Sequence, residues 1–239
     1  MQKFQTIVVD IRQKITSGFY SQGDRLPTTS ELCEQYGVSK ITVKRAMDDL
    51  VAMGLVARRR GSGTYVKGIE GRSTLTSMHN YSRQMNGLVA DGETLNQTVT
   101  SDVHDFLVVQ PSTDIARLLN MEPDEFAYYV CRTRFMDGKP YSVEQTYMPL
   151  KVVPDLREKH VEGSIYSYIE NDLGLKIASA HRVVCAVHPS FEQAEWLAVD
   201  KNTPLISVRQ VGYLDDGTPF EVSTALHAVG YEFFSVSTK

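Results

Sequence analysis

The sequence from Ser39 to Met53 reads SKITVKRAMDDLVAM, and this stretch decides the fold of the amino-terminal part of the chain. Four apolar side chains recur in it at helical spacing: Val43, Ala46, Met47 and Leu50. They predict an amphipathic helix with one buried stripe, which the hydroxyl of Ser39 can cap. Basic and hydroxyl side chains flank the exposed face of its first turns: Lys40, Thr42, Lys44 and Arg45. A helix with such a start suits the major groove of DNA.

Two further helices are predicted before this stretch. Four apolar residues mark the first, which ends at Gly18: Ile7, Val8, Ile11 and Ile15. Thr28 and Glu31 have the spacing of a capping box, so the second helix should begin near Thr28. It should run to Tyr36, and Gly37 supplies the turn. Helix, glycine-containing turn and helix together predict a helix-turn-helix.

A basic hairpin is predicted after the third helix, which ends at Gly54. The apolar runs at 55–57 and 64–66 are typical of two short strands. Arginines and glycines fill the connection between them: Arg58, Arg59, Arg60, Gly61 and Gly63. Three arginines at a hairpin tip are costly unless they meet an anion. Each basic feature alone is usually a solvated surface, but their joint order and spacing predicts a winged helix-turn-helix.

The segment resembles the amino-terminal domain of the GntR family of bacterial transcription regulators. The residues that carry the resemblance are Gly23, Leu26, Pro27, Glu31, Leu32, Tyr36, Gly37, Val38, Ser39, Thr42, Val43, Ala46, Leu50, Gly54, Leu55, Gly61, Gly63, Thr64, Tyr65 and Val66. It implies base and phosphate contacts from the third helix and a minor-groove approach of the wing backbone at Gly63. The residues expected to contact DNA are Thr28, Ser39, Lys40, Thr42, Lys44, Arg45, Arg58, Arg59, Arg60, Gly61 and Gly63. Thr29 and Ser30 replace an acidic residue and a guanine-reading arginine common in the family, so an unusual operator is expected.

Charge is divided unevenly along the chain. Residues 1–67 carry 11 Lys and Arg against 6 Asp and Glu, whereas residues 68–239 carry 14 against 23. A basic end on an acidic body indicates that a polyanion is handled at one end only. Asp48 and Asp49 would repel a phosphate, so only the first half of the third helix is expected to approach DNA.

The rest of the chain is predicted to form an α+β domain. Residues 68–76 are rich in Gly, Ser and Thr and suit a linker, which separates domains at 1–67 and 77–239. Alternating or apolar runs predict strands at 98–109, 127–136, 141–148, 176–187, 205–213 and 220–227. Hairpin turns are expected at 137–140 and 215–219, and helices at 114–119, 165–171 and 191–197. This order favours an antiparallel sheet with a few helices.

Polar side chains occupy positions in this domain that should be apolar. They are Arg132, Arg134, Glu144, Ser164, Tyr166 and Glu221. Arg132 and Arg134 leave the same face of a strand, and Ser164 begins a predicted helix whose free N–H groups can hold an anion. Together the six could line a pocket for a phosphorylated or carboxylated polar ligand. The structural alternative is a solvent-facing strand pair for Arg132 and Glu144, a helix cap for Ser164 and a core position for Tyr166.

A second resemblance, over roughly residues 75–235, is to the UTRA effector domain of the HutC-type GntR regulators. It rests on Arg132, Thr133, Arg134, Asp137, Gly138, Pro140, Glu144, Tyr147, Pro149, Pro154, Gly163, Ser164, Ile165, Tyr166, Thr203, Pro204, Leu205, Gly217, Pro219, Glu221 and Ser223. It implies a chorismate-lyase-like fold, dimerisation through this domain, and a sugar phosphate or another small metabolite as effector. The residues implied to hold the anionic group are Arg132, Arg134, Ser164 and Tyr166. Glu144 and Glu221 would hold the polar body, and Tyr81 and Ser82 would close the pocket.

Several other functions are disfavoured. Cys33, Cys131 and Cys185 are widely spaced, and the six histidines lack ligand spacing, so no disulfide framework, metal or cofactor is expected. No serine or cysteine lies in a nucleophile motif, so an enzyme, such as a lyase using the Arg/Glu pocket, is only the alternative. No apolar run reaches the length of a bilayer span, which predicts a cytoplasmic protein. We therefore expect a homodimeric, ligand-responsive regulator, a repressor that binds a palindromic operator.

Overall fold

The computed structural model describes residues 3–67, 88, 97–228 and 231, which fall into two compact units. Residues 3–67 form the first unit, and the other described residues belong to the second. The predicted linker at 68–76 lies outside the described residues, so its bounds stay a prediction.

The first unit consists of three helices and a two-stranded hairpin. Helix α1 spans Lys3–Thr16, α2 spans Thr29–Tyr36 and α3 spans Lys40–Ala52. Strand β1 (Val56–Arg59) pairs antiparallel with β2 (Gly63–Val66). Apolar side chains from all five elements and from the segment before α2 form one core: Ile7, Val8, Ile11, Ile15, Leu26, Leu32, Val43, Ala46, Met47, Leu50, Leu55, Val56 and Val66. The predicted stripes of the first and third helices both lie in it, and the winged helix-turn-helix is confirmed.

The capping box at the start of α2 is formed as predicted. The backbone N–H of Glu31 donates to Oγ1 of Thr28 at 3.3 Å, and the backbone N–H of Thr28 donates to Oε2 of Glu31 at 2.7 Å. The bond from the Thr28 backbone is the largest of the effects that lower the pKa of Glu31.

Thr28→Ala is therefore expected to lower the free energy of unfolding by about 1 kcal/mol, because it leaves a helix-end N–H without its acceptor. Urea unfolding of the full chain measures this loss. Thr29→Ala, one residue later on the exposed first turn, is the control. Equal stability of the two variants would contradict the role of the cap.

The second unit is a six-stranded antiparallel sheet with helices on both faces. Its elements in chain order are β3 (Val99–Val109), α4 (Thr113–Leu118), β4 (Ala127–Met136), β5 (Lys139–Pro149), α5 (Glu158–Glu162), α6 (Ile165–Ser167), a π-helical turn (Tyr168–Asp172), β6 (Ile177–Val187), α7 (Phe191–Leu197), β7 (Leu205–Leu214) and β8 (Pro219–His227). The strand order is β3-β4-β5-β8-β7-β6, so only the β5–β8 pair joins strands that are not neighbours in sequence. The predicted α+β class is confirmed.

Two local features of this unit differ from the sequence-based expectation. Helix α5 was not predicted, because its five residues are too few to show a helical apolar repeat. The helix predicted at 165–171 starts as α6 and continues as the π-helical turn. The first hairpin turn is as expected, since Asp137 and Gly138 have φ of 50° and 76°, the positive values that a two-residue turn requires.

Helices cover the two faces of the sheet with separate apolar clusters. On the first face, Val161 of α5 and Ile165 of α6 pack against Val130 of β4. On the second face, Leu197 of α7 packs against Cys131 of β4. Val130 and Cys131 are consecutive, and successive strand residues point to opposite faces. Beyond Val130 the first face becomes polar, and the predicted ligand residues lie there.

Candidate nucleic-acid interface and ligand site

The start of α3 presents an exposed basic surface. Ser39 caps the helix: its Oγ accepts from the backbone N–H of Thr42 at 3.3 Å and lies 3.0 Å from the Thr42 hydroxyl. Lys40 and Lys44, in the first turns of α3, are both exposed. Ile41 between them is 82% exposed, an apolar side chain that could contact a thymine methyl group.

Arg45 lies on the side of α3 that faces α1. Its guanidinium carbon is 3.9 Å from the centroid of the Phe4 ring, a distance typical of a cation–π contact. The contact fixes the side chain near the first helix. Its contact with DNA stays a prediction.

The wing arginines are arranged differently from the sequence-based expectation. Arg58 and Arg59 belong to β1 rather than to the tip, because the pairing continues to Arg59 opposite Gly63. Only Arg60 lies in the turn, where Gly61 takes a φ of 75°. The expectation of three arginines at the tip is thus wrong, because the glycine permits a tighter turn than the apolar pattern indicates.

Arg58 connects the wing to α3. Its Nη1 donates to the carboxylate of Asp48, and its Nη2 donates to the carbonyl of Lys44 at 3.2 Å. The wing and the basic start of α3 therefore lie on one side of the unit. The ion pair also offsets the negative charge of Asp48, which the sequence alone suggested would repel phosphate.

In the second unit, Arg132 of β4 is tied to Glu144 of β5. Its Nε and Nη2 donate to the same oxygen, Oε2, at 3.0 and 2.8 Å, and the side chains are 11% and 21% exposed. Its Nη1 donates to the carbonyl of Val161 at 2.5 Å. Burial would raise the pKa of Glu144, but the charges of Arg132 and Arg134 outweigh it, and the pKa is lowered.

Arg134 is buried without an ion pair to any described residue. It is 1% exposed, and its Nη1 donates to Oγ of Ser101 at 2.8 Å and to the carbonyl of Gly163 at 3.0 Å. Its Nε has no hydrogen-bond partner. Burial, and then the charge of Arg132, lowers its pKa to about 10. The guanidinium is therefore still charged at neutral pH and lacks a directly bonded counterion.

Tyr166 and Glu221 bind each other. The Tyr166 hydroxyl donates to Oε1 of Glu221 at 2.5 Å, and Nε2 of Gln210 donates to both, 3.2 Å from the hydroxyl oxygen. Burial raises the pKa of both Tyr166 and Glu221. Ser164 is the cap of α6: its Oγ accepts from the backbone N–H of Ser167 at 3.1 Å.

Two buried residues that the sequence did not single out complete the cluster. Arg134, Ser142 and His227 are direct partners across the adjacent strands β4, β5 and β8. Each has an unpartnered buried atom: Nε of Arg134, Oγ of Ser142 and Nδ1 of His227. Burial lowers the pKa of His227 to about 4, so the imidazole is neutral at pH 7 and Nδ1 can accept or donate.

Local patterns could have found neither of these two residues. The two-residue turn at Asp137 and Gly138 would by itself set Arg134 opposite Tyr141, and only the register shift between Arg134 and Phe135 brings Ser142 there. His227 depends on the pairing of β5 with β8, which no local pattern predicts. The same holds for Gln210, which lies on β7, two strands from Glu144.

The remaining predictions concern the entrance of the pocket and metals. Tyr81 and Ser82 lie outside the described residues. Within residues 3–67 and 97–228, no group of three His, Cys, Asp or Glu side chains is placed to hold a metal ion. No helix in the described part of the chain is long and apolar enough to span a membrane.

A cavity of about 580 Å³ lies elsewhere in this unit, between Pro149, Lys151 and the turn at 214–219. None of the six polar residues lines it. Two of the charged residues that line it, Lys151 and Glu125, form an ion pair in which Nζ and Oε1 are 3.3 Å apart. We therefore place the candidate ligand site at the buried polar cluster, where polar atoms lack partners.

Comparison with known proteins follows the division into two units. Residues 3–66 match the family model described as bacterial regulatory proteins, gntR family, and residues 94–229 match the model of the UTRA domain. The chain is 34% identical to the HTH-type transcriptional regulator GmuR of Bacillus subtilis, over 95% of this chain and 94% of that protein. It is 29% identical to the mannosyl-D-glycerate transport/metabolism system repressor MngR of Escherichia coli, over 99% and 96%.

One solved structure aligns with the chain over its full length. The possible transcriptional regulator YydK of Bacillus subtilis is 28% identical, covers 100% of both chains and superposes with a TM-score of 0.78. All three of these relatives are named as transcriptional regulators or repressors, and none is named as an enzyme.

Proposed function

The chain belongs to the GntR family of bacterial regulatory proteins and carries a UTRA domain, and on this premise we propose that it is a dimeric repressor released from its operator by a small anionic sugar derivative. That it is a DNA-binding transcriptional regulator follows from the family. The repressor sign, the dimer, the palindromic operator and the effector are the proposal. Repression rather than activation is proposed because MngR is named as a repressor.

The DNA contact is assigned to the exposed side of the first unit. Lys40, Thr42 and Lys44 enter the major groove from the start of α3, while Arg59 and Arg60 reach phosphates from the wing. Arg58 holds the wing against α3 and so sets the distance between the two groups of contacts. Two such units on a twofold axis require a palindromic operator.

The effector site rests on one observation: three adjacent strands carry unpartnered buried polar atoms at Arg134, Ser142 and His227. An unpaired buried polar group costs about 1–3 kcal/mol, so three together indicate that something else satisfies them. The uncompensated charge of Arg134 favours an anionic group on that ligand. The polar body of the ligand would meet the neighbouring Glu144 and Glu221.

The class of effector is a sugar phosphate or a sugar carboxylate. The anion is assigned from the charge of Arg134, and the sugar from the similarity to MngR, the repressor of a mannosyl-D-glycerate transport/metabolism system. Carboxylates beside hydroxyl-rich ligands accept hydrogen bonds, which suits the pair Glu144 and Glu221.

A release mechanism follows from what the arginines bind without ligand. Arg132 donates to the carbonyl of Val161, Arg134 donates to that of Gly163, and Ser101 donates to that of Glu162 at 2.6 Å. These three consecutive carbonyls end helix α5. An anion that accepts hydrogen bonds from the arginines competes with these carbonyls and displaces the end of α5. The resulting change in DNA affinity is limited by how much more tightly the ligand binds the displaced arrangement than the original one.

Thermal-shift measurements on the full chain test the effector assignment. Glucose 6-phosphate, mannose 6-phosphate and glucuronate represent anionic sugars, and glucose and mannose are the neutral controls. We expect an anionic sugar to raise the melting temperature and to release DNA from the region upstream of its own gene in a gel shift. A shift with neutral sugars alone would contradict the role of Arg134.

The dimer is assigned to strand β6, at one edge of the sheet. Val183 and Val184 are consecutive and so point to opposite faces, yet they are 54% and 38% exposed. The pairing of β6 with β7 shifts register at its start, between Ile177 and Ser179, and is regular from Ser179 to Val187. The other edge strand, β3, is interrupted in its middle between Val103 and Asp105, a feature that blunts edge pairing. A second copy pairing with β6 would cover the exposed valines.

Val183→Lys together with Val184→Lys is expected to convert the dimer into a monomer, because charged edge residues oppose strand pairing. Sedimentation velocity over a concentration series measures this. The matched control is Leu107→Lys with Val108→Lys on β3, whose side chains are 50% and 55% exposed. Dissociation by the β3 pair and not by the β6 pair would move the interface to the other edge.

A further inference from the structure

Arg25 lies on the connection between α1 and α2, directly beside the wing. Its backbone forms a β-bridge with Tyr65 of β2, and the next N–H, of Leu26, donates to the carbonyl of Thr64 at 2.9 Å. The carbonyl of Asp24 accepts from the N–H of Val66 at 2.9 Å. The segment is therefore held as a short third strand along the wing, and the position of Arg25 is fixed by backbone hydrogen bonds.

The side chain of Arg25 runs over Gly63. A Cβ atom at Gly63 would lie 2.7 Å from Nε of Arg25 and 3.5 Å from both Cδ and Cγ. Gly63 has a φ of 136°, a conformation that side chains rarely adopt. The glycine thus leaves the space that the arginine fills, at the position where the family resemblance implies that the wing backbone meets the minor groove.

The guanidinium of Arg25 is free to meet an anion. Arg25 is exposed and forms no salt bridge to any residue within 3–67. The pKa of Glu31 is lowered mainly by its hydrogen bonds with Thr28, and the charge of Arg25 has the smallest effect. The carboxylate of Glu31 is already engaged in the capping box of α2.

Arg25 also lies near a position where this chain departs from its family. The resemblance to the GntR family implies a guanine-reading arginine at this position, where this chain has Ser30. Ser30 is exposed, adjoins Glu31 and has a short, uncharged side chain. The positive charge of Arg25 contributes to the lowered pKa of Glu31, the third residue of the same helix.

We propose that Arg25 is a specificity-determining DNA contact, whose guanidinium enters the minor groove beside Gly63. The inference rests on the proposed function and adds a minor-groove contact by Arg25 to the contacts proposed for α3 and the wing. A·T-rich minor grooves are narrow, have an enhanced negative potential and attract arginine, whereas the exocyclic amino group of guanine obstructs the groove. This chain therefore selects A·T pairs under its wing.

The test begins with selection of a tight-binding duplex from a random library, using the full chain. Failure to recover any duplex would refute the proposed function itself and is distinguishable from failure of this inference. On the recovered duplex, Arg25→Ala is expected to lower affinity about 10- to 100-fold, and Arg25→Lys to recover only part of the loss. Arg117→Ala, an exposed arginine of the second unit, controls for charge alone.

Groove readout is separated from a phosphate contact by changing the bases under the wing. Replacing A·T by G·C should weaken the unsubstituted chain, and I·C pairs, which lack the amino group, should restore binding. Arg25→Ala should bind all three duplexes equally. An equal loss with Arg25→Ala on every duplex would show a phosphate contact and would overturn the proposal, as would no loss at all.

A double-mutant cycle provides an independent readout. If Gly63 matters partly because it makes room for Arg25, Gly63→Ala should cost less affinity in the Arg25→Ala background than alone. Melting temperatures of the same variants separate this from unfolding of the wing. Additive losses would mean that Gly63 acts through its backbone and that Arg25 does not use the space beside it, which would count against the proposal.

Discussion

Replacing Lys40 and Lys44 together by alanine is expected to lower affinity for the operator about 100-fold, because each lysine at the start of α3 contributes roughly 1–2 kcal/mol through bases or phosphates. Both side chains are exposed, and neither helps to form the core, so the melting temperature should not change. The slope of log affinity against log salt should also decrease by about 2, as two phosphate-neutralising charges are removed.

The control for this pair is Lys151→Ala with Lys176→Ala in the second unit, which changes the net charge by the same amount. Both lysines are exposed and form only surface ion pairs, with Glu125 and Asp215, so stability should be nearly unaffected. Gel shifts over a salt series measure both pairs. Equal losses in the two pairs would indicate non-specific attraction and would contradict the assignment of α3 as the recognition helix.

Arg134→Met is expected to abolish the effector response, with at least about a 100-fold loss of effector affinity, while the chain stays as stable or becomes more stable. The guanidinium is buried without a bonded counterion and has an unpartnered Nε, so its removal relieves the cost of a desolvated charge, which offsets the loss of its hydrogen bonds to Ser101 and Gly163. Operator binding without effector should be unchanged, because Arg134 lies in the second unit.

Arg132→Met tests the opposite case. It removes the partner of Glu144 and leaves a carboxylate whose side chain is only 21% exposed, so destabilisation near the lower end of about 3–5 kcal/mol is expected. A double substitution of both arginines would therefore confuse lost folding with lost binding. Arg134→Met separates the two, and Arg117→Met on exposed α4 is its control.

The measurements for Arg134→Met are thermal melting without ligand and effector titration of the operator complex. A large fall in melting temperature would show that the arginine serves mainly to hold the carbonyl of Gly163, and that the ligand site lies elsewhere. Retained response to an anionic sugar would have the same consequence. Loss of response with an unchanged melting temperature supports the site.

Local patterns were sufficient for the three helices of the first unit. Ser39 and Thr28 act as helix caps, and Gly37 ends α2 with a φ of 60°, because these features depend on neighbours within four residues. The apolar stripes of α1 and α3 also follow from periodicity alone. The wing was less predictable, since the ion pair of Arg58 with Asp48 depends on how the hairpin folds back against the helix.

Only the part of the candidate ligand site on the β4–β5 hairpin was predictable from the sequence. Period-two alternation sets Arg132 and Arg134 on one face, and the turn at Gly138 brings the strand of Glu144 beside them. The register shift between Arg134 and Phe135 then decides that Glu144 lies directly opposite Arg132. Ser164 and Tyr166 were assigned to the anion, but one caps a helix and the other binds Glu221. These partners come from separate parts of the chain.

The sequence by itself determined the two-part organisation, the winged helix-turn-helix and the strands of the sheet, because periodicity, caps and turns act over a few residues. Only the tertiary structure decided that His227 and Gln210 join the polar cluster, that Arg25 lies over Gly63, and that Arg134 is buried without a counterion. The physical reason is that these contacts depend on the pairing of β5 with β8 and the docking of the segment before α2 on the wing. Both join residues far apart in the chain, where hydrophobic pattern carries no information about partners.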